Sequence, residues 1–514
     1  MPSERTLGLY ERFSLSRSLA GVAPVVAFTA LLPADTPSRV DPAHFASAID
    51  SLLAEYPLLG CAVAAVTTAE PRFERQAVTA QDVLVDLAGS PAEPAQALLA
   101  ALEAVKDNGV ERAPLWRVWL STADAQGRCR ATLAVHHVLS DGSSTRNIFA
   151  ELLSRARAPR PVETVEPTTT LAPTLEDSVD VRPSSLALVK VLFDEFVAPR
   201  IPSFLRPAPP PPTFPSPPLV RPYKQNTSLK HLSLPSTAVA RLKAAAKAHG
   251  VPTLHPVLYI AFLAALSTVA PPHTALIGQS PISLRNADGA PHPPISGNYV
   301  CSLETAHGAP APATPFWSAC AAYGARMSDP AERVRAKGGM GMLAYVPDGP
   351  ERGPSGSAAA KRTRFDSWMD GVLKGDEPWK ATFEVSNLGV LPATGWEGEE
   401  GLDEVLWAQA GMALGPAFAV NVRLSLSLSL PGRASRALSR WKSSAADART
   451  PSPCSQPIGV RGGALAMTMT WRSGTVDEAS VTAIWEAYER ALRKLAEEEV
   501  AQDATFEDVA KGAL

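Results

Sequence analysis

The sequence predicts an α/β protein built as two halves with a proline-rich connector between them. Three observations carry this. The 514 residues exceed what one compact domain usually holds. Strand-period and helix-period apolar patterns alternate through residues 1–160 and again from about residue 223 to the end. Between them, the 22 residues Ile201–Pro222 contain ten prolines. Proline breaks helix and sheet interiors, so this stretch reads as an extended, semi-rigid connector.

Taken in order, Asp41 and Pro42 open a helix that places Phe45, Ile49, Leu52 and Leu53 on one face and ends near Pro57 and Gly60. A second helix, Pro94–Val105, carries Leu98, Leu99, Leu102 and Val105 at helical spacing. Two strand-like runs follow, Leu115–Leu120 and Arg130–His137, separated by the polar turn Asp124–Gly127. Ser143 or Ser144 is the expected cap of the next helix, which carries Ile148, Phe149, Leu152 and Leu153. Within the connector region 161–222, Ser185–Val197 is apolar and is open to two readings: a helix docked on the body, or a helix lying on a membrane surface. In the second half, Ser236 is the expected cap of a helix to Gly250, and Thr253 opens an apolar helix to Val269. Strand-like runs span Ala381–Val385, Ala417–Val422 and Ala464–Trp471. The closing helix turns Val481, Ile484, Trp485, Tyr488, Leu492 and Leu495 inward.

One segment breaks the pattern. After Val420-Asn421-Val422 the chain alternates Leu and Ser, then turns basic and Ser/Ala-rich as far as Pro457. Such a run is what a CT dinucleotide repeat encodes, and Val422-Arg423 can be read from a GT-initial splice donor. Two readings stand: a translated, retained intron over roughly Arg423–Ile458, or a surface insertion in a hairpin loop. Transcripts that always contain the segment would exclude the first.

Composition narrows the function. Hydrophobic residues are 46% and charged residues 19%, which is globular and excludes wholesale disorder. With 48 Lys plus Arg against 51 Asp plus Glu, no global basic field exists, so no nucleic-acid partner is expected. Cys61, Cys129, Cys301, Cys320 and Cys454 are scattered without a C-x-x-C pair, so neither a metal cluster nor a disulfide framework is expected. The polar start lacks a signal-peptide pattern. The longest apolar run, Val257–Ala270, falls short of a bilayer span of about 20 residues and is interrupted by Ser267 and Thr268. A cytoplasmic protein is expected, peripheral on endoplasmic reticulum or lipid droplets if Ser185–Val197 lies on a membrane surface.

The chemistry concentrates in His136-His137-Val138-Leu139-Ser140-Asp141-Gly142. Leu133 and Val135 alternate with small or polar residues, which puts the histidines at the end of a half-buried strand, and Asp141-Gly142 turns the chain toward a helix. Successive strand residues point to opposite faces, so one histidine at most is catalytic. A single neutral imidazole suits general-base removal of a hydroxyl proton, a contribution of about 10²–10⁴ in rate. No G-x-S-x-G elbow is present, since Gly353-Pro354-Ser355-Gly356 fails the spacing. Gly338-Gly339-Met340-Gly341 lacks the lysine of a phosphate-binding loop. Direct acyl transfer from an activated donor fits what remains.

This motif resembles that of the chloramphenicol-acetyltransferase-like superfamily, with peptide condensation domains, plant acyl-CoA-dependent transferases and fungal alcohol acetyltransferases; the last group looks most similar. Supporting segments occur in the family's order: Leu7-Gly8 with Glu11, Tyr56-Pro57-Leu58-Leu59, Pro114-Leu115-Trp116-Arg117, Pro281-Ile282-Ser283-Leu284-Arg285, Gly297-Asn298-Tyr299-Val300 and Glu384-Val385-Ser386-Asn387-Leu388-Gly389. The resemblance implies two α/β sandwich domains forming a pseudo-dimer, with a central substrate tunnel. It implies His137 as general base and Asp141 as a structural residue that orients the loop, with Arg285 as partner of Asp141. Ser386 is the implied oxyanion donor. Gly142, Asn387 and Gly389 are the candidate substrate-binding residues. Gly142 is also read as making backbone room beside His137, and Asn387 and Gly389 as alternatively shaping a turn. The D-F-G-W-G motif of the plant and condensation branches is absent, and Trp396 and Trp407 do not sit in one.

The expected activity is acetyl transfer from acetyl-CoA, a co-substrate with no resident cofactor, to a small alcohol, by a monomer of the kind found in ester biosynthesis and secondary metabolism. Condensation onto a carrier-bound thioester and a catalytically silent binding fold are the alternatives.

Overall fold

The computed structural model describes residues 4–32, 41–87, 92–159, 168–202, 211–216, 226–285, 296–349, 363–424 and 463–512, less short stretches inside them. The first half supplies strands β1 (Glu4–Thr6), β2 (Val25–Leu32), β3 (Cys61–Ala64), β4 (Arg72–Arg75), β5 (Leu84–Leu87), β6 (Trp116–Ser121) and β7 (Cys129–His136). The second supplies β8 (Thr227–Leu234), β9 (Ile277–Ser283), β10 (Val300–Ala306), β11 (Ala381–Val390), β12 (Asp403–Gln409), β13 (Pro416–Leu424) and β14 (Leu465–Arg472). They form a five-stranded sheet β12-β2-β7-β6-β5, a six-stranded sheet β10-β9-β11-β13-β14-β8 and a small sheet β1-β4-β3. Each large sheet is covered by helices over its own apolar core, one around Phe28, Ile49, Leu133 and Phe149, the other around Phe262, Val385, Val420 and Leu492.

The helix Pro42–Glu55 forms where its pattern predicts, with the Asp41 carboxylate accepting the Ala43 N–H and the four expected apolar residues buried. The apolar helix Leu254–Ser267 is buried along nearly its whole length, because helices Phe316–Ser328, Glu478–Glu497 and Phe506–Lys511 pack around it. Its apolarity is thus that of a core helix. No helix among the described residues is long and apolar enough to cross a membrane.

The two lobes are not separate in sequence. β12 lies between residues of the second half, yet it pairs antiparallel with β2 and completes the first sheet. On β11, β13 and β14, alternate residues Phe383, Val385, Val420, Val422, Met467 and Met469 point into the second core. Their neighbours Glu384, Ser386, Asn421, Arg423, Thr468 and Thr470 therefore share the opposite face, which is also buried. β12 covers part of it: Trp407 Nε1 donates to the Val422 carbonyl at 3.0 Å, and Thr468 Oγ1 donates to the Trp407 carbonyl at 2.7 Å. Trp407 is thus an inter-lobe strut; Trp396 lies outside the described residues.

Several sequence expectations need correction. The helix after the histidine motif, Gly142–Arg157, is capped by Asp141 rather than by Ser143 or Ser144, because the Asp141 carboxylate is the group that reaches the Ser144 N–H. Pro235 holds the cap position before Ser236, which is already helical. The helix Ser185–Leu192 does not dock: it buries no residue, and Leu186 is 80% exposed. Finally, Arg423 and Leu424 belong to β13, paired with Ala466 and Leu465, and Arg423 donates to the Val405 carbonyl. The rest of the anomalous segment, from residue 425 on, falls among residues 425–462, which lie outside the described residues.

Candidate active site

The motif sits where β7 ends. β7 stops at His136, and His137 opens the turn that leads to the helix Gly142–Arg157. Both imidazoles are buried, and they face different partners. His136 accepts the Val138 N–H at Nδ1, 3.0 Å, which leaves Nε2 to donate to Ser18 Oγ at 2.8 Å. Burial, with the charges of His137 and Arg17, pushes its pKa down to about 3. It is a neutral latch between β7 and the helix α1 (Leu9–Leu19).

His137 is held by the second half of the chain. Its Nδ1 lies 3.0 Å from Asn298 Oδ1, while Asn298 Nδ2 donates to the Val138 carbonyl at 3.0 Å. With the amide nitrogen so engaged, Oδ1 can only accept, so Nδ1 carries the proton and Nε2 the lone pair. Nε2 lies 3.4 Å from the Tyr10 hydroxyl of α1. Burial lowers the His137 pKa; Arg17 acts the same way, and Asp141 and Asn298 oppose it. Burial also raises the Tyr10 pKa, so the phenol stays protonated. The result is a neutral imidazole whose basic nitrogen faces the Tyr10 phenol.

Asp141 points away from His137 into a polar knot. Its Oδ1 accepts the Ser144 N–H, and Oδ2 accepts both the Tyr299 N–H and Arg285 Nη1, each at 2.8 Å. Burial works to raise the Asp141 pKa, but the Arg285 charge and these hydrogen bonds hold it below the usual carboxylate range. Arg285 also donates to Ser144 Oγ at 2.6 Å, and the Gly297 N–H donates to the Leu139 carbonyl at 2.8 Å. Gly297 has φ +84° and no room for a Cβ, which would lie 2.6 Å from the Tyr299 ring.

Of the remaining candidates, Ser386 lies buried on the inter-lobe face of β11, in register with Asn421, with no hydrogen bond to the His137 loop among the described residues. Asn387 and Gly389 have turn geometry: Asn387 Oδ1 accepts the Gly389 N–H at 2.9 Å, and Gly389 has φ +68°. Arg146 donates to the Leu388 carbonyl and ties this turn to the helix Gly142–Arg157. The space at Gly142 is taken by Leu388, 3.1 Å from where a Cβ would stand, rather than lying open beside His137. Four of the cysteines are free and buried, and no group of metal-ligating residues occurs among the described residues.

Sequence reasoning missed Asn298 and Tyr10 as partners of the imidazole. Asn298 lay in one of the family-like segments and Tyr10 next to another, but nothing in their spacing says that residues 161 and 127 positions from His137 meet it. Removing the Asn298 amide should free Nδ1. Asn298→Ala is expected to cost about 1–3 kcal/mol in the transition state, roughly tenfold to a hundredfold in kcat. Asn298→Asp should instead raise the imidazole pKa and move the acid limb of the pH–rate profile upward, a shift that a merely structural residue would not cause.

No protein-family profile matches the chain, and no curated protein matches it by sequence. Solved structures do. The trichothecene 15-O-acetyltransferase TRI3 of Fusarium sporotrichioides aligns over 96% of this chain and 94% of its own, with TM-score 0.62 and 11% identity. The X-domain from teicoplanin biosynthesis aligns over 99% and 98%, with TM-score 0.53 and 13% identity. The first condensation domain of the CDA synthetase aligns over 99% of both chains, with TM-score 0.52 and 16% identity. With two helix-covered sheets meeting at the histidine motif, the chain has the two-lobed fold of condensation-like and chloramphenicol-acetyltransferase-like proteins.

Proposed function

We propose that the chain is an acyl-CoA-dependent alcohol O-acetyltransferase. The observation that carries this is the neutral His137 imidazole, oriented by Asn298 from the opposite half, with Nε2 as its basic atom. In this reading His137 Nε2 takes the proton of the acceptor hydroxyl as its oxygen attacks the thioester carbonyl of acetyl-CoA. The tetrahedral intermediate collapses with loss of CoA thiolate, which recovers the proton from Nε2, leaving an acetate ester and free CoA. Ser386 is the proposed oxyanion donor, worth about 3 kcal/mol if its hydroxyl reaches the oxyanion. Asp141 and Arg285 hold the loop rather than touch substrate. Residues 1–160 and 223–514 act as two halves of one site, so a monomer suffices, and no resident cofactor is required.

The test is free-thiol release from acetyl-CoA with a panel of alcohols. Release that depends on the alcohol and forms no acyl-enzyme burst is the expected result. A burst would overturn direct transfer. The likeness to condensation domains favours one second reading, transfer from a carrier-bound thioester. Turnover with an acyl-pantetheinyl carrier and none with acetyl-CoA would select it. No turnover with either would leave a binding fold.

A further inference from the structure

The helix α1 presents two polar faces to the interior, and they are satisfied very differently. On one, Arg12 pairs with Asp348 and Asp366 and donates to Thr363 Oγ1 at 2.6 Å, and Ser16 Oγ donates to Asp366 at 2.6 Å. On the other, Tyr10, Ser14 and Arg17 lie at i, i+4 and i+7 and so share a stripe. Tyr10 touches the His137 ring, with centroids 5.2 Å apart. Ser14 is 0% exposed and Arg17 2% exposed, yet Ser14 Oγ and the Nε and Nη2 of Arg17 find no hydrogen-bond partner among the described residues. The guanidinium lies 5.6 Å from the Phe13 ring centre and forms no ion pair among the described residues. Its neighbour in charge is Glu384, on the inter-lobe face of β11, but the Glu384 carboxylate is engaged with Gln409 Nε2 at 2.7 Å and does not bridge to it.

A buried guanidinium left with unmet donors costs several kcal/mol. Arg5 and Arg12, near the same helix, both have carboxylate partners, whereas Arg17, which alone of the three lies on the stripe with Tyr10, pairs with none among the described residues. We propose that Tyr10, Ser14 and Arg17 line an acceptor subsite and that Arg17 takes a carboxylate on the acceptor. The acceptor is then a hydroxy acid, its hydroxyl at His137 and its acid end toward Arg17, two helical turns or about 10 Å along α1. This deepens the acyltransferase reading and rests on it for the role of the hydroxyl, but carboxylate binding stands or falls alone. Arg suits the task because its planar fork matches a carboxylate in bidentate geometry.

The experiment is calorimetric binding, with no acyl donor present, of omega-hydroxyoctanoate and its methyl ester to the full chain and to Arg17→Met. The acid is expected to bind about tenfold or more tighter than the ester to the native chain, the gain of a charge-assisted pair. It should lose that advantage in Arg17→Met, while CoA binds both proteins equally. Equal binding of acid and ester by the native chain would overturn the proposal, as would a preference that survives in Arg17→Met. Weakened CoA binding with the acid preference intact would assign Arg17 to the donor phosphates instead, also against it. A Glu384→Gln chain serves as a second variant: it should bind the acid at least as tightly, since the repulsion of a neighbouring carboxylate is gone. Loss of acid binding there would mean that Glu384, not Arg17, holds the ligand. Should Arg17→Met fail to fold, the acid–ester comparison in the native chain still decides. Absence of acetyl transfer would count against the proposed reaction and leave this result untouched.

Discussion

His137→Ala is expected to lower kcat/KM for acetyl transfer by about 10²–10⁴-fold while the chain still folds, because it removes the base and one hydrogen bond. Among the described residues the imidazole's hydrogen-bond partners are Asn298 and Tyr10. Paired turnover and denaturant-midpoint measurements separate loss of the base from loss of the fold. Unchanged turnover in a folded His137→Ala chain would refute the general-base assignment. The pH profile gives a second check. Burial lowers the imidazole pKa from its ordinary 6.5, so the base remains neutral through that pH and the acid limb of kcat/KM should lie below it. His136→Ala should behave differently, costing stability through the Ser18 latch with no movement of that limb.

Breaking the buried Asp141–Arg285 pair should have the largest effect on stability. Both side chains are almost completely buried, and the charges lie 2.8 Å apart. Arg285→Met leaves the Asp141 carboxylate with two backbone N–H groups and no ion-pair partner, and is expected to cost about 3–5 kcal/mol. The double change Asp141→Asn with Arg285→Met should cost less than the sum of the singles, since each single change strands a charge. Denaturant titration of the four chains gives the coupling directly, and additive losses would refute it. The pH dependence follows from the sign of the shift. The folded Asp141 pKa lies below the ordinary 3.8, so its stabilisation is fully present above 3.8 and is lost as pH falls from there through the lower folded value. Arg285→Met should therefore lose much of this acid sensitivity.

Much of the fold was legible in the sequence, and the misses have physical causes. The helix from Pro42, the core helix after Thr253 and the closing helix with Ile484, Trp485 and Tyr488 inward all follow from local periodicity and capping. Ser185–Leu192 was left open between docking and a membrane surface, because an apolar stripe states a preference for burial without saying against what; the structure leaves it undocked. Asp141 was read as a loop brace partnered by Arg285, and that pair forms; what the sequence did not show is that the same carboxylate also caps a helix and accepts the Tyr299 N–H. Asp, Ser and Thr are all good cap residues, and only the backbone trace decides which one reaches the N–H.

The sequence by itself determined the alternating α/β pattern, the placement of His136 and His137 at a strand end on opposite faces, and the lack of a nucleophile motif beside them. Each depends on residues close together in the chain, where the periods of strand and helix act directly. Tertiary structure alone decided which nitrogen of His137 is basic, because that depends on Asn298, 161 residues away. It also decided that β12 crosses to complete the first sheet, and that Arg12 is paired while Arg17, five residues on, has unmet donors. The physical reason is common to all three. Hydrogen bonds and ion pairs reach only about 3 Å, so their energies depend on long-range contacts that local periodicity does not encode.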